Sequence, residues 1–221
     1  MTSEIYRIQK RKKLFNLNAN FLLIIINVVV FLLILILQQV YPSILDYVAL
    51  KPSNVVNNFY LWTFLTSMFM HAGFFHLFVN MFSLLFMGNL AEKLVGKKRF
   101  VSFYLLAGLF AGLLFVGVSL FFPVDFNAYA VGASGAIFGT IGLLMILTPN
   151  LPVYMMFIPI PLKLKYAAPA MLLLLWLVSV LGNVPVGNTA HFGGFIFGLA
   201  YGFYLRRKYK RKTRYISKLF S

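Results

Sequence analysis

The chain has 221 residues, of which 61% are hydrophobic and only 11% are charged, whereas a soluble globular domain has about 45–50% apolar and about 25% charged residues. This composition excludes a water-soluble fold, and the absence of cysteine excludes disulfides, thiolate metal sites and a cysteine nucleophile. The formal net charge of +16 would favour nucleic-acid binding in a soluble protein, but in so apolar a chain positive charges are first expected to mark the sides of a membrane.

Apolar stretches that could cross a membrane occur six times. A transmembrane helix requires about 20 largely apolar residues, because each residue rises about 1.5 Å and the hydrocarbon layer is about 30 Å thick. The first stretch is too long for a signal-peptide core of about 7–15 residues, so we expect a retained span. We predict an all-α membrane helical bundle of six transmembrane helices, at residues 21–40, 74–90, 101–122, 134–148, 166–182 and 189–205.

The basic residues lie almost entirely in segments that this arrangement places on one side. Of the 20 lysines and arginines, only Lys51 lies in a segment on the opposite side. Because cytoplasmic flanks retain Lys and Arg, both termini are predicted to be cytoplasmic. Residues 1–20 then form a basic N-terminal segment, residues 21–205 the core and residues 206–221 a basic tail. We expect this tail to contact membrane lipids with anionic headgroups, with no nucleic acid as a partner.

The fourth span is too short to cross the membrane alone. Residues 134–148 extend only about 22 Å as a helix, so the preceding segment, 127–133, must dip below the outer surface. Irregular backbone at that depth is tolerated only when it is buried in protein or lines a wet cavity. Ser134 lies at the dip, between Gly132 and Gly135, glycines that permit a tight turn and close backbone approach.

All three histidines lie at or beside the spans, where a lipid-facing helix would avoid them. His71 precedes span 2, His76 lies within it, and His191 starts span 6. Asn80 follows His76 by four residues, so both side chains share one helix face. Spans 2, 4 and 6 run in the same direction, which places His76, Asn80, Ser134 and His191 at one depth in the outer part of their helices.

Glycines at four-residue spacing indicate how spans 4 and 6 pack, since such spacing lets membrane helices approach backbone to backbone. Close packing of these two spans would bring Ser134 and His191 together. The sequence therefore predicts a serine activated by a histidine base. The glycines are Gly135, Gly139, Gly194, Gly198 and Gly202.

Carboxylates are scarce, and none is obviously placed to orient His191. We therefore expect a Ser-His dyad, with the ring of Phe138 as a packing surface for the imidazole. Glu92 is expected to form a solvated or interfacial pair with Lys93. Neither a metal nor a cofactor is predicted, because the chain has no His-Glu-x-x-His motif and no carboxylate cluster. The four carboxylates are Glu4, Asp46, Glu92 and Asp125.

Three motifs in these spans make the sequence resemble the rhomboid intramembrane serine proteases. The resemblance covers the six-span core. It implies that Ser134 is the nucleophile, that His191 is the general base, and that His76 and Asn80 form an oxyanion hole with the Ser134 backbone N–H. The motifs are His71-Ala-Gly-Phe-Phe-His76-Leu-Phe-Val-Asn80, Gly132-Ala-Ser134-Gly135 and Ala190-His191-Phe-Gly-Gly194 with Gly198.

The resemblance also implies transmembrane protein substrates and a first outer segment, 41–73, that lies partly in the membrane. We expect cleavage near the outer face, where Gly, Pro or small residues help a substrate helix unwind. Two positions depart from the family pattern. Trp62-Thr63 stands where Trp-Arg is common, and Phe138 stands where Tyr is common. The short termini suggest a minimal prokaryotic form in the cell membrane, without a seventh span.

Two other functions stay open at this stage. Intramembrane histidines could serve a transporter, although we see no inverted repeat, and a catalytically inactive relative could bind membrane clients. His71 is expected to be a structural hydrogen-bonding residue where span 2 begins. The connector 182–188 has a hinge-like composition and is expected to gate the site. The physiological substrate and the oligomeric state are left open.

Overall fold

The computed structural model describes residues 18–155, 160–182 and 187–218, and these are mainly helical. A 3₁₀ turn occurs at Ser67–Phe69, and a π-helical turn at Leu84–Gly88 joins the helices on either side of it in one continuous segment. In chain order the α-helices are α1 (Ala19–Val40), α2 (Ile44–Val48), α3 (Pro52–Asn58), α4 (Thr63–Thr66), α5 (Phe74–Ser83), α6 (Asn89–Val95), α7 (Lys97–Ser119), α8 (Pro123–Phe126), α9 (Ser134–Leu147), α10 (Leu164–Gly182), α11 (Asn188–Lys208) and α12 (Lys210–Lys218).

Helices occur at all six positions where the apolar stretches predict them. Four of these are long and apolar enough to cross a membrane, namely α1, the α5–α6 segment, α7 and α10. The chain is therefore a multi-pass membrane protein. The α9 helix is apolar but has 14 residues. The α11 helix has 21 residues, and its last turn carries Arg206, Arg207 and Lys208.

The core lies around α9. Every residue from Gly135 to Leu144 is buried, because α7 and α11 both pack along this helix. By contrast, α10 buries only Leu164, Ala167 and Ala168, and its outer leucines remain exposed, as expected of a helix that faces lipid. The buried glycine and alanine residues of α9 thus identify it as the central helix, packed against other helices.

The α9 and α11 helices approach each other backbone to backbone. A Cβ atom at Gly194 would overlap the carbonyl oxygen of Gly135, and one at Gly198 would overlap that of Gly139. Only glycine fits at such contacts, which is the role of small residues between membrane helices. The contact brings His191, about one turn before Gly194, to the start of α9.

The side chain of Glu92, on α6, caps the N-terminus of α1. The expectation that Glu92 forms a solvated or interfacial pair with Lys93 is therefore wrong. Glu92 is buried, and its two carboxylate oxygens accept hydrogen bonds from the backbone N–H groups of Ala19 and Asn20 at 2.9 and 2.7 Å. The unpaired N–H groups at a helix N-terminus favour an anion there. Asn20 also donates to the carbonyl of Leu84, at 2.9 Å, where the π-helical turn begins.

Two short β contacts supplement the helices. Pro152–Val153 and Leu162–Lys163 pair as antiparallel strands, and an isolated bridge joins Leu50 to Ala130. The N-terminal cations of residues 1–17 lie outside the described residues. Most of the connector expected to act as a gate, residues 183–186, also lies outside them.

Candidate active site

Ser134 is the first residue of α9, and the chain turns sharply just before it. Gly132 has a φ of 122°, a backbone conformation that glycine adopts more easily than any other residue. The N–H of Gly132 donates to the carbonyl of Ser67 at 2.9 Å, which fixes the turn. The first N–H groups of α9, including that of Ser134, have no partner within the helix, so they are available to an anion.

His191 on α11 reaches the Ser134 hydroxyl. The Nε2 atom of His191 lies 2.8 Å from Ser134 Oγ, although the two residues are 57 positions apart. Phe138, one turn after the serine, stacks on the imidazole with ring centroids 4.7 Å apart and 29° between the planes. A hydrogen bond at one edge and an aromatic ring on one face therefore hold the histidine in place.

No carboxylate orients this histidine within the described part of the chain. The Nδ1 atom of His191 is buried without a hydrogen-bond partner among the described residues. A neutral imidazole that accepts a proton at Nε2 carries its own proton at Nδ1, so that proton has no acidic partner here. The described residues also contain no group of three or more potential metal ligands. The arrangement fits a dyad.

The ring of His76 faces the same small space. A Cβ atom placed on Gly132 would lie 3.0 Å from His76 Nε2 and 3.6 Å from Ser134 Oγ. At the other edge of the ring, Nδ1 accepts a hydrogen bond from the N–H of Ala72 at 3.3 Å. Because Nδ1 accepts, the proton of the neutral ring is assigned to Nε2. His76 therefore presents a donor beside the serine.

Asn80 is buried one turn after His76. Its Nδ2 donates to the His76 carbonyl oxygen at 2.8 Å, and its Oδ1 has no hydrogen-bond partner among the described residues. This one bond ties Asn80 to its own helix and not to Ser134. The second hydrogen of the amide group is still available to another acceptor.

His71 packs its ring edge-on against that of His76, with centroids 5.2 Å apart and an interplanar angle of 65°. Burial, with a smaller contribution from the neighbouring His76, lowers the pKa of His71 to about 4. A neutral His71 adds no charge beside the serine. Neither ring nitrogen of His71 has a hydrogen-bond partner among the described residues, so the expected role in hydrogen bonding is not seen there, whereas the ring packs beside the site.

A cluster that the sequence did not reveal ties the first outer segment to the backbone before Ser134. Leu50 and Ala130 exchange backbone hydrogen bonds of 3.1 and 2.8 Å. The Tyr129 hydroxyl donates to the Asp46 carboxylate, and Lys51 Nζ lies 3.6 Å from that carboxylate. The Tyr129 hydrogen bond lowers the pKa of Asp46, burial opposes this, and the charge of Lys51 adds to it. The lone outer cation, Lys51, was the only sequence signal for the cluster.

The first outer segment is anchored without the arginine that the family often has. The indole Nε1 of Trp62 donates to the Tyr47 carbonyl at 2.7 Å. The Tyr60 ring stacks on both the Trp62 and Tyr47 rings, with centroid distances of 4.7 and 5.5 Å. Thr63, at the arginine position, is buried and donates to the Tyr60 carbonyl at 2.6 Å. An aromatic stack thus holds this part of the segment.

Comparison with known proteins gives one family. The family model for the Rhomboid domain matches residues 58–208. RHOMBOID-like protein 1 of Arabidopsis thaliana is 36% identical over 160 residues, which cover 70% of this chain and 37% of that protein. RHOMBOID-like protein 2 of the same plant is 37% identical over 162 residues, or 71% and 46% of the two chains. Inactive RHOMBOID-like protein 8, also of Arabidopsis, is 34% identical over 145 residues, or 64% and 37%. The chain spans less than half the length of these relatives.

Proposed function

The chain belongs to the rhomboid family, and from that premise we propose that it is a serine endopeptidase that cleaves transmembrane proteins within the membrane. The observation that carries the proposal is the 2.8 Å contact between Ser134 Oγ and His191 Nε2. Membership alone does not decide activity, because one similar protein is named inactive. A serine paired with a histidine base is a combination that can catalyse acyl transfer.

In the proposed reaction, Ser134 Oγ attacks the carbonyl carbon of a peptide bond while His191 Nε2 takes the hydroxyl proton. The carbonyl electrons move onto oxygen and form a tetrahedral oxyanion. When the C–N bond breaks, the imidazolium returns the proton to the leaving amine, and an acyl-enzyme remains on Ser134. A water molecule, deprotonated by the same histidine, then attacks the acyl group. As the acyl–oxygen bond breaks, the imidazolium returns the proton to Ser134 Oγ, and the second product leaves.

The oxyanion would be stabilised by donors at the start of α9 and on α5. The Ser134 N–H lies at the N-terminus of α9, where the partial positive charge of the helix adds to the hydrogen bond. His76 offers Nε2–H, as its hydrogen bond from Ala72 indicates. Asn80 can contribute its remaining amide hydrogen. Donors that are in place before the oxyanion forms need no reorganisation during the reaction.

We further propose six membrane spans, with α9 and α11 as the fourth and the sixth. The 14 residues of α9 extend about 21 Å, so the 127–133 segment would complete the span by dipping from the outer face. The basic segments then place both termini in the cytoplasm and open the site outward. The cell membrane is the proposed location.

The proposed substrate is a transmembrane segment that unwinds near the outer face. An intact helix hides its carbonyl groups in hydrogen bonds, whereas Gly, Pro and small residues weaken it. A second candidate, an inactive relative that binds membrane clients, is favoured only by the similarity to the protein named inactive. It predicts binding of the same segments without a covalent step.

A serine-reactive fluorophosphonate probe separates the two candidates. Full-length protein in liposomes should be labelled, and Ser134→Ala should not. The His191→Ala variant should be labelled far more slowly, because the Ser134 hydroxyl then lacks a base. Ser102→Ala is the matched control, since Ser102 is an exposed helical serine that donates only to the Lys98 carbonyl. Equal labelling of wild type and Ser134→Ala would favour the inactive client-binding protein.

A further inference from the structure

Cations converge at the end of the bundle opposite Ser134. Arg99 on α7 and Lys208 on α11 both approach the Tyr209 ring, with Arg99 Cζ at 5.3 Å and Lys208 Nζ at 5.8 Å from its centroid. Arg99 also donates to the Tyr209 hydroxyl at 3.2 Å. Glu92 is occupied by the N–H groups at the start of α1. The other described carboxylates belong to the outer segments, so this cluster has no visible counter-charge in the described structure.

Of these residues, Arg99 and Tyr209 border a cavity of about 130 Å³ that lies between α6, α7, α9, α11 and α12. One part of its wall is apolar and the other is cationic and hydroxylated. The volume is far above the roughly 10–15 Å³ that a single water needs, so the cavity can admit a phosphate group. The lining includes Leu147, Leu205 and Ile216 on the apolar side and Arg99, Tyr209 and Lys212 on the polar side.

The α12 helix covers this cavity and carries no acidic residue. Thr213 and Ile216 are buried against the bundle, whereas the four cations between residues 210 and 214 are exposed. Lys210 and Arg214 are four residues apart, and like charges at that spacing repel one another on a helix. An anion from outside the chain would relieve this repulsion. The exposed cations are Lys210, Arg211, Lys212 and Arg214.

The position of the cavity along the helices points to a lipid. The α6 helix ends at Val95, α7 begins at Lys97 and α11 ends at Lys208, so the cavity lies where the apolar spans end and where lipid headgroups begin. An inorganic anion would leave the apolar wall uncovered, whereas a glycerophospholipid presents a phosphate beside apolar chains. We propose that this cavity binds the headgroup phosphate of an anionic phospholipid.

The proposal is independent of proteolysis, and lipid binding tests it directly. Full-length protein in detergent is titrated with phosphatidylglycerol, and bound lipid is counted by native mass spectrometry. Phosphatidylcholine of the same chain length and inorganic phosphate are the two comparison ligands. The site variant is Arg99→Gln with Lys212→Gln. The matched control is Arg211→Gln with Arg214→Gln, which removes the same charge but not from the cavity wall.

Wild type should bind one phosphatidylglycerol in preference to phosphatidylcholine, and phosphate should not displace it. A cation near an anionic headgroup contributes about fivefold in affinity, so the site variant should bind about 25-fold more weakly. The control should lose less than about threefold, because its cations lie outside the cavity. Equal losses in the two variants, or equal binding of both lipids, would overturn the proposal.

If the double site variant fails to fold, a single substitution still tests the lipid site. Lys212→Gln alone changes an exposed side chain, so it should fold, and it should weaken phosphatidylglycerol binding about fivefold. Arg214→Gln is then the single-charge control. Indistinguishable affinities for these two proteins would contradict a specific lipid site and would leave only diffuse attraction between a basic helix and an acidic surface.

Discussion

The two imidazole rings beside Ser134 differ in which ring nitrogen carries the proton, because their hydrogen-bond partners differ. His191 presents Nε2 to the hydroxyl at 2.8 Å, and as a base it must keep that nitrogen free of a proton. His76 has Nδ1 occupied by the N–H of Ala72, so its proton lies on Nε2. One ring can therefore accept a proton while the other donates a hydrogen bond. The residue types were predicted from sequence, but the assignment of the His76 proton required the Ala72 contact.

Replacing Asn80 by Ala should lower kcat about 10²- to 10³-fold with little change in KM. The reason is that the lost donor would act on the oxyanion, whose charge develops only after attack and is absent from the bound substrate. The measurement is steady-state cleavage of a transmembrane substrate in liposomes.

The chain offers a matched control for this variant. Asn27 is also a buried helical asparagine whose Nδ2 bonds to the carbonyl four residues earlier, at 2.7 Å from Leu23. Asn27→Ala removes the same local bond but lies on α1. If both variants lose kcat equally, the role of Asn80 is structural and not catalytic.

At the scale of helices, the contact between α9 and α11 delivers His191 to Ser134. Gly194→Ala would place a Cβ atom on the Gly135 carbonyl oxygen and should push the two helices apart. Overpacking of this kind costs about 1–3 kcal/mol. Thermal unfolding and probe labelling of Ser134 should both show the change, the second as a loss of at least about tenfold in rate.

Gly117→Ala controls for the effect of alanine on a helix. Gly117 lies on α7, and a Cβ atom there would meet no atom within 4 Å. Alanine is favoured over glycine in helices by about 1 kcal/mol, so this variant should be as stable as wild type or more stable. A Gly194→Ala protein with wild-type labelling would contradict the role assigned to the close contact.

The cap that Glu92 forms on α1 should contribute to stability and not to chemistry. Glu92→Gln removes the charge and leaves one acceptor for two N–H groups, and hydrogen bonds to charged groups contribute about 1.5–3 kcal/mol each. We expect the free energy of unfolding to fall by about 2 kcal/mol, with the cleavage rate per folded molecule unchanged. Chemical denaturation in detergent measures the first quantity. Lys93→Gln, at an exposed neighbour, should have no effect, and an equal loss there would argue against the cap.

The sequence predicted the helices well and the contacts between them only in part. Apolar stretches place six helices because membrane helices are local features of composition. Glycine spacing indicated the α9–α11 contact, since small residues at that spacing have few other uses. The Glu92 cap and the Tyr129–Asp46 bond were missed, because they join residues 72 and 83 positions apart. The π-helical turn at Leu84–Gly88 also left no local signal.

At the scale of the whole molecule, charge separates two ends with different chemistry. Ser134, His191 and His76 meet at one end of the bundle, where Asp46 and Lys51 are the nearby charges described in the outer segment. The opposite end holds the exposed cations of α11 and α12. Because basic segments favour the cytoplasmic side of a membrane, the proposed orientation places this basic end in the cytoplasm and the candidate active site toward the outer face.

The most direct test of the proposed protease is cleavage of single-span membrane proteins by purified protein in liposomes. Wild type and Ser134→Ala are compared on the same substrates, and the products are mapped by mass spectrometry. The proposal predicts that wild type cuts a subset of substrates in the outer part of the membrane segment and that Ser134→Ala gives no product. Normal cleavage by Ser134→Ala would contradict it.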